Sequence, residues 1–237
     1  ARRTEKGYRL GLHAYKSLEE FIENIGGLKQ ATEEYQQFLD QITDFHTDEN
    51  YPLPHDVERQ LEKSDRTLFP YQRTGIQWLN WIFGHNLHGL LADDMGLGKT
   101  LQSLVSMRCM YEESSAGEPS LIICPVAVIR HWENEINAVF PKGTQVNIYH
   151  GQSRRITPPD GKRTIYISSY DTVVADAEEL AKIAWYFVIL DEGTKIKNPG
   201  TQRAVAIKSL NAAHKLSLSG TPIENRPAEL WSLFDFL

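Results

Sequence analysis

The chain has 237 residues, of which 41% are hydrophobic and 24% charged, with a formal net charge of −6. That is ample apolar material for a core, and no apolar run approaches the ~20 residues needed to span a bilayer. The acidic balance lends no compositional support to nucleic-acid binding, which relies on Lys and Arg neutralising phosphates, although a local basic face can coexist with an acidic total.

In chain order, Ala1-Arg2-Arg3-Thr4 has no apolar core behind it and does not read as a secretory signal. Leu18, Phe21, Ile22 and Ile25 then recur at helical spacing and stop at Gly26-Gly27, and Tyr35, Phe38, Leu39 and Ile42 form a second such face. Tyr51-Pro52-Leu53-Pro54 breaks the pattern and reads as a linker. Residues 1–66 are therefore expected to be a helical accessory extension and linker that packs on the domain after it, and nothing in them names a partner.

Residues 67–237 alternate between strands and helices. The expected strands are Leu90–Ala92, Leu121–Cys124, Val146–Tyr149, Thr164–Ser168, Phe187–Leu190 and Leu216–Ser219. Helical patterns fall near Thr74–Phe83, Thr100–Tyr111, Val128–Phe140, Thr172–Ile183, Thr201–Leu210 and Ala228–Phe236. That alternation predicts an α/β fold with a mostly parallel sheet and helices on both faces. Cys109 and Cys124 both sit in apolar contexts and read as buried, reduced thiols, which suits an intracellular setting.

The first stretch with chemistry is Asp93-Asp94-Met95-Gly96-Leu97-Gly98-Lys99-Thr100, between an apolar run and a helical pattern. Strand, glycine-bearing turn, Lys-Thr and helix is the layout of a phosphate-binding loop. Backbone N–H groups curl round phosphate oxygens, and the helix N-terminus adds its positive dipole end. Lys99 would reach the β- and γ-phosphates, and the Thr100 hydroxyl would ligate Mg²⁺. One position departs from the usual pattern: Asp93 stands where the first glycine is expected, and Gly96 sits inside the loop. A Gly-Lys-Thr triplet by itself is also compatible with an ordinary turn bearing a surface lysine.

Further on, Trp185-Tyr186-Phe187-Val188-Ile189-Leu190 reads as a strand buried on both faces and ends in Asp191-Glu192. Ligands bind beyond the carboxyl ends of strands in open α/β sheets. There Asp191 would hold Mg²⁺ and Glu192 would orient and deprotonate the attacking water. The competing reading is a solvated acidic turn.

With these parts placed, residues 67–237 resemble the first RecA-like lobe of the Swi/Snf-type ATPases, superfamily-two motors that translocate on double-stranded DNA. Phe69-Pro70-Tyr71-Gln72 resembles the glutamine motif, in which Gln72 would read the adenine edge. Leu91 to Thr100 is similar to motif I almost letter for letter, including the missing first glycine. Leu121-Ile122-Ile123-Cys124-Pro125 with Trp132-Glu133 resembles motif Ia, Ile167-Ser168-Ser169-Tyr170 motif Ib, and Ser217-Leu218-Ser219-Gly220-Thr221-Pro222 motif III. The closing run Glu229–Leu237 is the most family-specific. The resemblance implies an ATP- and Mg²⁺-dependent hydrolase that acts on double-stranded DNA or DNA-bound proteins. It also implies a DNA-associated location, in the nucleus of a eukaryote or the nucleoid of a prokaryote.

Motif II departs from the family: Asp191-Glu192-Gly193-Thr194 carries Thr where His or Gln is usual. That place links the nucleotide site to motif III, so coupling of hydrolysis to movement is the function at issue. Ser219, Gly220 and Thr221 would sense the γ-phosphate, or form a plain strand exit. Trp132, Ile136, Val139 and Phe140 share a helical face, so Trp132 reads as core rather than as a base-stacking platform. Ser168, Ser169 and Tyr170 would donate to a DNA phosphate, or cap the next helix. Arg130 faces either phosphate or water.

In the resembled family a second RecA-like lobe supplies an arginine finger, worth about 10³–10⁵ in rate. No residue here fills that place, so the 237 residues alone are expected to bind ATP·Mg²⁺ weakly and hydrolyse it slowly. Two rival readings stand beside the motor. One is a nucleotide- or DNA-binding scaffold, slightly favoured by Thr194 and the acidic charge. The other is a DEAD-box RNA helicase, opposed by Asp-Glu-Gly-Thr and by the Trp231–Leu237 run.

Overall fold

A computed structural model describes residues 2–4, 7–9, 48, 51–113, 117–152, 154–156, 163–220 and 227–237, with 2–4, 7–9 and 227–230 as backbone alone. Arg2–Thr4 (β1) and Gly7–Arg9 (β2) pair antiparallel. Within an extension expected to be helical, these first elements are strands, and three residues apiece are too few to show a periodicity. The helical patterns at 18–25 and 35–42 lie outside the described residues.

The main body runs α1 (His55–Lys63), α2 (Pro70–Gly84), β3 (Gly89–Leu91), α3 (Lys99–Glu113), β4 (Ser120–Cys124), α4 (Ile129–Val139), β5 (Gln145–Tyr149) and β6 (Thr164–Ser169). It continues with α5 (Tyr170–Ala175), α6 (Ala177–Leu180), β7 (Ala184–Leu190), α7 (Gln202–Lys208), β8 (Asn211–Leu218) and α8 (Pro227–Phe236). Six strands form one parallel sheet in the order β3-β8-β7-β4-β6-β5. This is the parallel sheet expected from the alternation, in the RecA-like arrangement that the resemblance implies.

Strand side chains alternate between two cores, as the pleat requires. On one face Ile122, Cys124, Phe187 and Ile189 pack with residues of α1 to α4. On the other, Leu121, Ile123, Val188 and Leu190 pack with residues of α5, α7 and α8. Cys109 and Cys124 are buried free thiols, and burial pushes Cys124 up to about 12, with Asp191 adding to the effect.

Three elements differ from expectation. Helix α1 was not foreseen, because only Val57 and Leu61 mark its apolar side. In the segment before it, which reads as a linker, Leu53 is buried and the Tyr51 carbonyl accepts from Arg73 at 3.2 Å. Strand β8 starts five residues before the expected Leu216, since pairing with β7 extends it back to Asn211 through a stretch poor in β-branched residues. The single helix expected over 172–183 is broken at Asp176, whose carboxylate is taken by Arg154 and by the Tyr149 hydroxyl at 2.8 Å.

Candidate functional site

Between β3 and α3 the chain makes the glycine-bearing turn. Gly96 and Gly98 have φ of 88° and 76°, a region that L side chains rarely adopt. The loop is pinned from beneath by two amides. Gln102 donates to the Asp93 carboxylate at 3.0 Å and to the Leu97 carbonyl at 3.2 Å. Gln72 donates to the same carbonyl at 3.2 Å, while its oxygen accepts from the Phe69 amide at 3.0 Å. The side chain at Asp93, where a glycine is usual, therefore gives Gln102 a partner. Gln72 is buried, and a Cβ on Gly98 would lie 2.4 Å from its nitrogen. Sequence reasoning did not single out Gln102, since nothing local marks a glutamine as reaching back under its own loop.

Lys99 curls over this turn. Its ammonium donates to the Asp93 carbonyl at 2.6 Å and the Asp94 carbonyl at 2.9 Å. Those carbonyls occupy it as acceptors in the place where phosphate oxygens would serve. Thr100 stands in the first turn of α3, and Met95 at the tip of the loop is 84% exposed. Left-handed glycines, amides opening a helix and a lysine above them suit a polyphosphate.

Strands β3 and β7 are separated only by β8, and all three are parallel, so the loop and Asp191 leave from one edge of the sheet. Burial holds the Asp191 carboxyl above the usual carboxylate range. The Trp132 hydrogen bond and the Lys99 charge oppose that shift, and the neighbouring Glu192 adds to it. Motif III closes the gap: the Ser219 amide donates to the Leu91 carbonyl at 3.1 Å. A Cβ on Gly220 would lie 2.8 Å from Met95 Cγ and 3.9 Å from Lys99 Nζ. The structure thus brings Lys99, Asp191 and Gly220 together; Thr221 lies outside the described residues.

Glu192 is exposed and has φ 54° and ψ 56°, a left-handed conformation uncommon for a non-glycine residue and frequent at functional sites. Its carboxylate lies 3.6 Å from the Lys195 ammonium. Residues Gly193–Ile196 then form a short 3-10 turn. Thr194 within it is half-buried.

The residues expected at DNA divide. Arg130 has 78% of its side chain exposed and an ion pair to Glu133 at 2.6 Å, a contact worth little at the surface. Ser168, Ser169 and Tyr170 are buried, and their hydroxyls have partners inside the protein. Ser168 gives its hydroxyl to the Tyr149 carbonyl at 2.8 Å. Ser169 caps α5 by accepting the Thr172 amide at 3.3 Å, the alternative weighed for it. The Tyr170 hydroxyl donates to the Asp191 carbonyl at 2.7 Å. The reason is position: β6 is an interior strand buried along its whole length, so polar groups at its end find partners inside. Trp132 is fully buried, as expected, but its indole N–H donates to Asp191 Oδ2 at 2.8 Å, a contact no helical pattern reveals.

The family described as SNF2-related domain matches residues 71–237. The TATA-binding protein-associated factor mot1 of Schizosaccharomyces pombe is 38% identical over 224 residues, which is 89% of this chain and 11% of the relative. The TATA-binding protein-associated factor 172 of Homo sapiens is 38% identical over 216 residues, 84% of this chain and 11% of the relative. The Sulfolobus solfataricus SWI2/SNF2 ATPase core in complex with dsDNA matches with a TM-score of 0.66 at 35% identity, covering 72% of this chain and 36% of that one. The chain spans about a tenth of the length of these two curated relatives. Its phosphate loop, acidic strand end and motif III share one sheet edge, and together with these matches they show that the chain belongs to the SNF2-related domain family.

Proposed function

We propose that this chain is the N-terminal ATPase lobe of a DNA-dependent ATPase that moves along double-stranded DNA or remodels protein–DNA complexes. The observation that carries the reading is the convergence of Lys99, Asp191 and Gly220 at one edge of the sheet, close enough for the lysine charge to act on the carboxylate. The loop amides from Asp94 to Thr100 and the Lys99 ammonium would hold the phosphates of ATP. Thr100 and Asp191 would hold Mg²⁺, which would neutralise charge on the transferred phosphoryl group. Glu192 would orient the attacking water and take its proton. Gln72 would read the adenine edge. Thr194, Ser219, Gly220 and Thr221 would pass the nucleotide state onward.

Duplex DNA is the proposed partner, with Arg130 the exposed candidate for a phosphate, and a second RecA-like lobe would complete the nucleotide site. DNA-bound proteins are the proposed targets, and the setting is intracellular and DNA-associated. Two of the relatives are named as TATA-binding protein-associated factors, which agrees with an action on protein–DNA complexes.

The test is Glu192→Gln in the full-length protein. Nucleotide binding should persist while hydrolysis is lost, and unchanged turnover would remove Glu192 from its role. A scaffold lobe with little motor activity is the second reading, slightly favoured by Thr194 in place of the family's His or Gln and by the net charge of −6. An ATPase assay with and without duplex DNA separates the two: absence of DNA stimulation supports the scaffold.

A further inference from the structure

Asp191 is held at three points by three segments. Its amide donates to the Ile123 carbonyl of β4 at 2.8 Å. Its Oδ2 accepts from the Trp132 indole of α4 at 2.8 Å, and its carbonyl accepts from the Tyr170 hydroxyl of α5 at 2.7 Å. The same hydroxyl lies 3.4 Å from the Glu192 carbonyl. Immediately after these restraints the backbone enters the left-handed conformation of Glu192. The Glu192 carbonyl then accepts the Lys195 amide at 2.9 Å, which starts the 3-10 turn.

Strain of this kind persists only where the surroundings over-determine it. The over-determination here comes from side chains distant in sequence. Helix α4 follows β4 and α5 follows β6, the next two strands after β7 in the sheet. Trp132 and Tyr170 therefore reach across from neighbouring strand exits to the exit of β7. Both are buried. Tyr170 is itself backed by Arg203, whose guanidinium lies 5.9 Å from its ring centroid and pairs with Asp171 at 2.6 Å.

We infer that Tyr170 and Trp132 are positioning residues for hydrolysis: Tyr170 sets the backbone that aims Glu192, and Trp132 orients the Asp191 carboxylate. This rests on the hydrolytic reading of Asp191 and Glu192. It gives the inward turn of Tyr170 a role distinct from contact with DNA. Losing one such hydrogen bond is worth about a two- to tenfold change in the step it supports.

The test uses the full-length protein with three readouts: steady-state ATPase kinetics, the Mg²⁺ concentration for half-maximal rate, and hydrogen exchange of the Lys195 amide without nucleotide. Tyr170→Phe should lower kcat about two- to tenfold, leave KM for ATP within about twofold, and speed exchange at Lys195 by a similar factor. Trp132→Phe should raise the half-saturating Mg²⁺ by about the same factor. Unchanged kcat and exchange in a folded Tyr170→Phe protein would overturn the inference. So would a parallel fall in kcat, nucleotide affinity and thermal stability, which marks a structural role alone. If Tyr170→Phe does not fold, unchanged Mg²⁺ dependence in Trp132→Phe overturns it. Glu192→Gln run alongside keeps the two ideas apart: persistent turnover there defeats the hydrolytic reading, while the exchange measurement still reports on the clamp.

Discussion

Gly193 and Ser217 share the space of a single side chain: a Cβ on Gly193 would lie 2.0 Å from the Ser217 hydroxyl oxygen and 3.2 Å from Leu233 Cδ2. Ser217 is fully buried on β8, and its hydroxyl has no partner among the described residues. The glycine of Asp191-Glu192-Gly193-Thr194 is thus explained by packing of the motif II turn against the strand that leads to motif III. Gly193→Ala should destabilise the lobe by about 1–3 kcal/mol through overpacking. Introducing Ser217→Ala should recover part of that loss, and chemical denaturation of the two single variants and the double variant measures the coupling.

Lys99 is held by two carbonyls of its own loop, so it contributes little to packing elsewhere and its removal should leave the fold intact. Lys99→Ala should weaken ATP·Mg²⁺ binding about 10- to 100-fold, the loss expected for hydrogen bonds to a charged group. Calorimetric titration reads the affinity, and circular dichroism checks that folding is retained.

His214 sits on β8 among Phe83, Tyr186 and Phe187, with ring centroids at 5.3, 5.1 and 4.8 Å. Its Nδ1 is buried without a hydrogen-bond partner, and burial pushes its pKa down to about 4. The unfolded chain binds the proton near pH 6.5 and the folded chain does not, so the unfolded state holds more protons between about 4 and 6.5. Stability is therefore fully present above pH 6.5 and declines as pH falls toward 4, by about 2–3 kcal/mol from this group. Urea denaturation across that range should show a shallower slope in His214→Leu than in the native protein.

Helix α1 belongs to the same apolar cluster as α2, α3 and α4. It is also fastened by polar contacts: Gln60 and Ser64 donate to the Ala138 carbonyl at 3.0 and 2.6 Å, and Arg66 meets Glu135 at 2.5 Å. Residues 51–66 should therefore unfold with the lobe rather than as part of a separate extension. Leu61→Ala should remove about 2–4 kcal/mol and lower one cooperative transition. Two resolved transitions by calorimetry would support the boundary at residue 66.

The sheet and its order of elements were legible because buried parallel strands write themselves as continuous apolar runs, such as Trp185 to Leu190. The phosphate loop and acidic strand end were legible because their chemistry sits in contiguous residues. The early start of β8 was not, since Asn211-Ala212-Ala213 forms a strand only through pairing with β7. Nor was the break at Asp176, which depends on Arg154 and Tyr149 from another part of the chain.

By itself the sequence determined which residues carry charge, which turns need glycine, and which runs must be buried, because each of these is a property of neighbouring residues. Tertiary structure alone decided what Trp132 and Tyr170 do. A hydrogen bond between groups tens of residues apart leaves no local pattern, and its direction is set by how helices pack at one edge of the sheet. The hydroxyls of Ser168 and Ser169 show the same division: their chemistry was plain from the sequence, but only the fold shows which partners they take inside it.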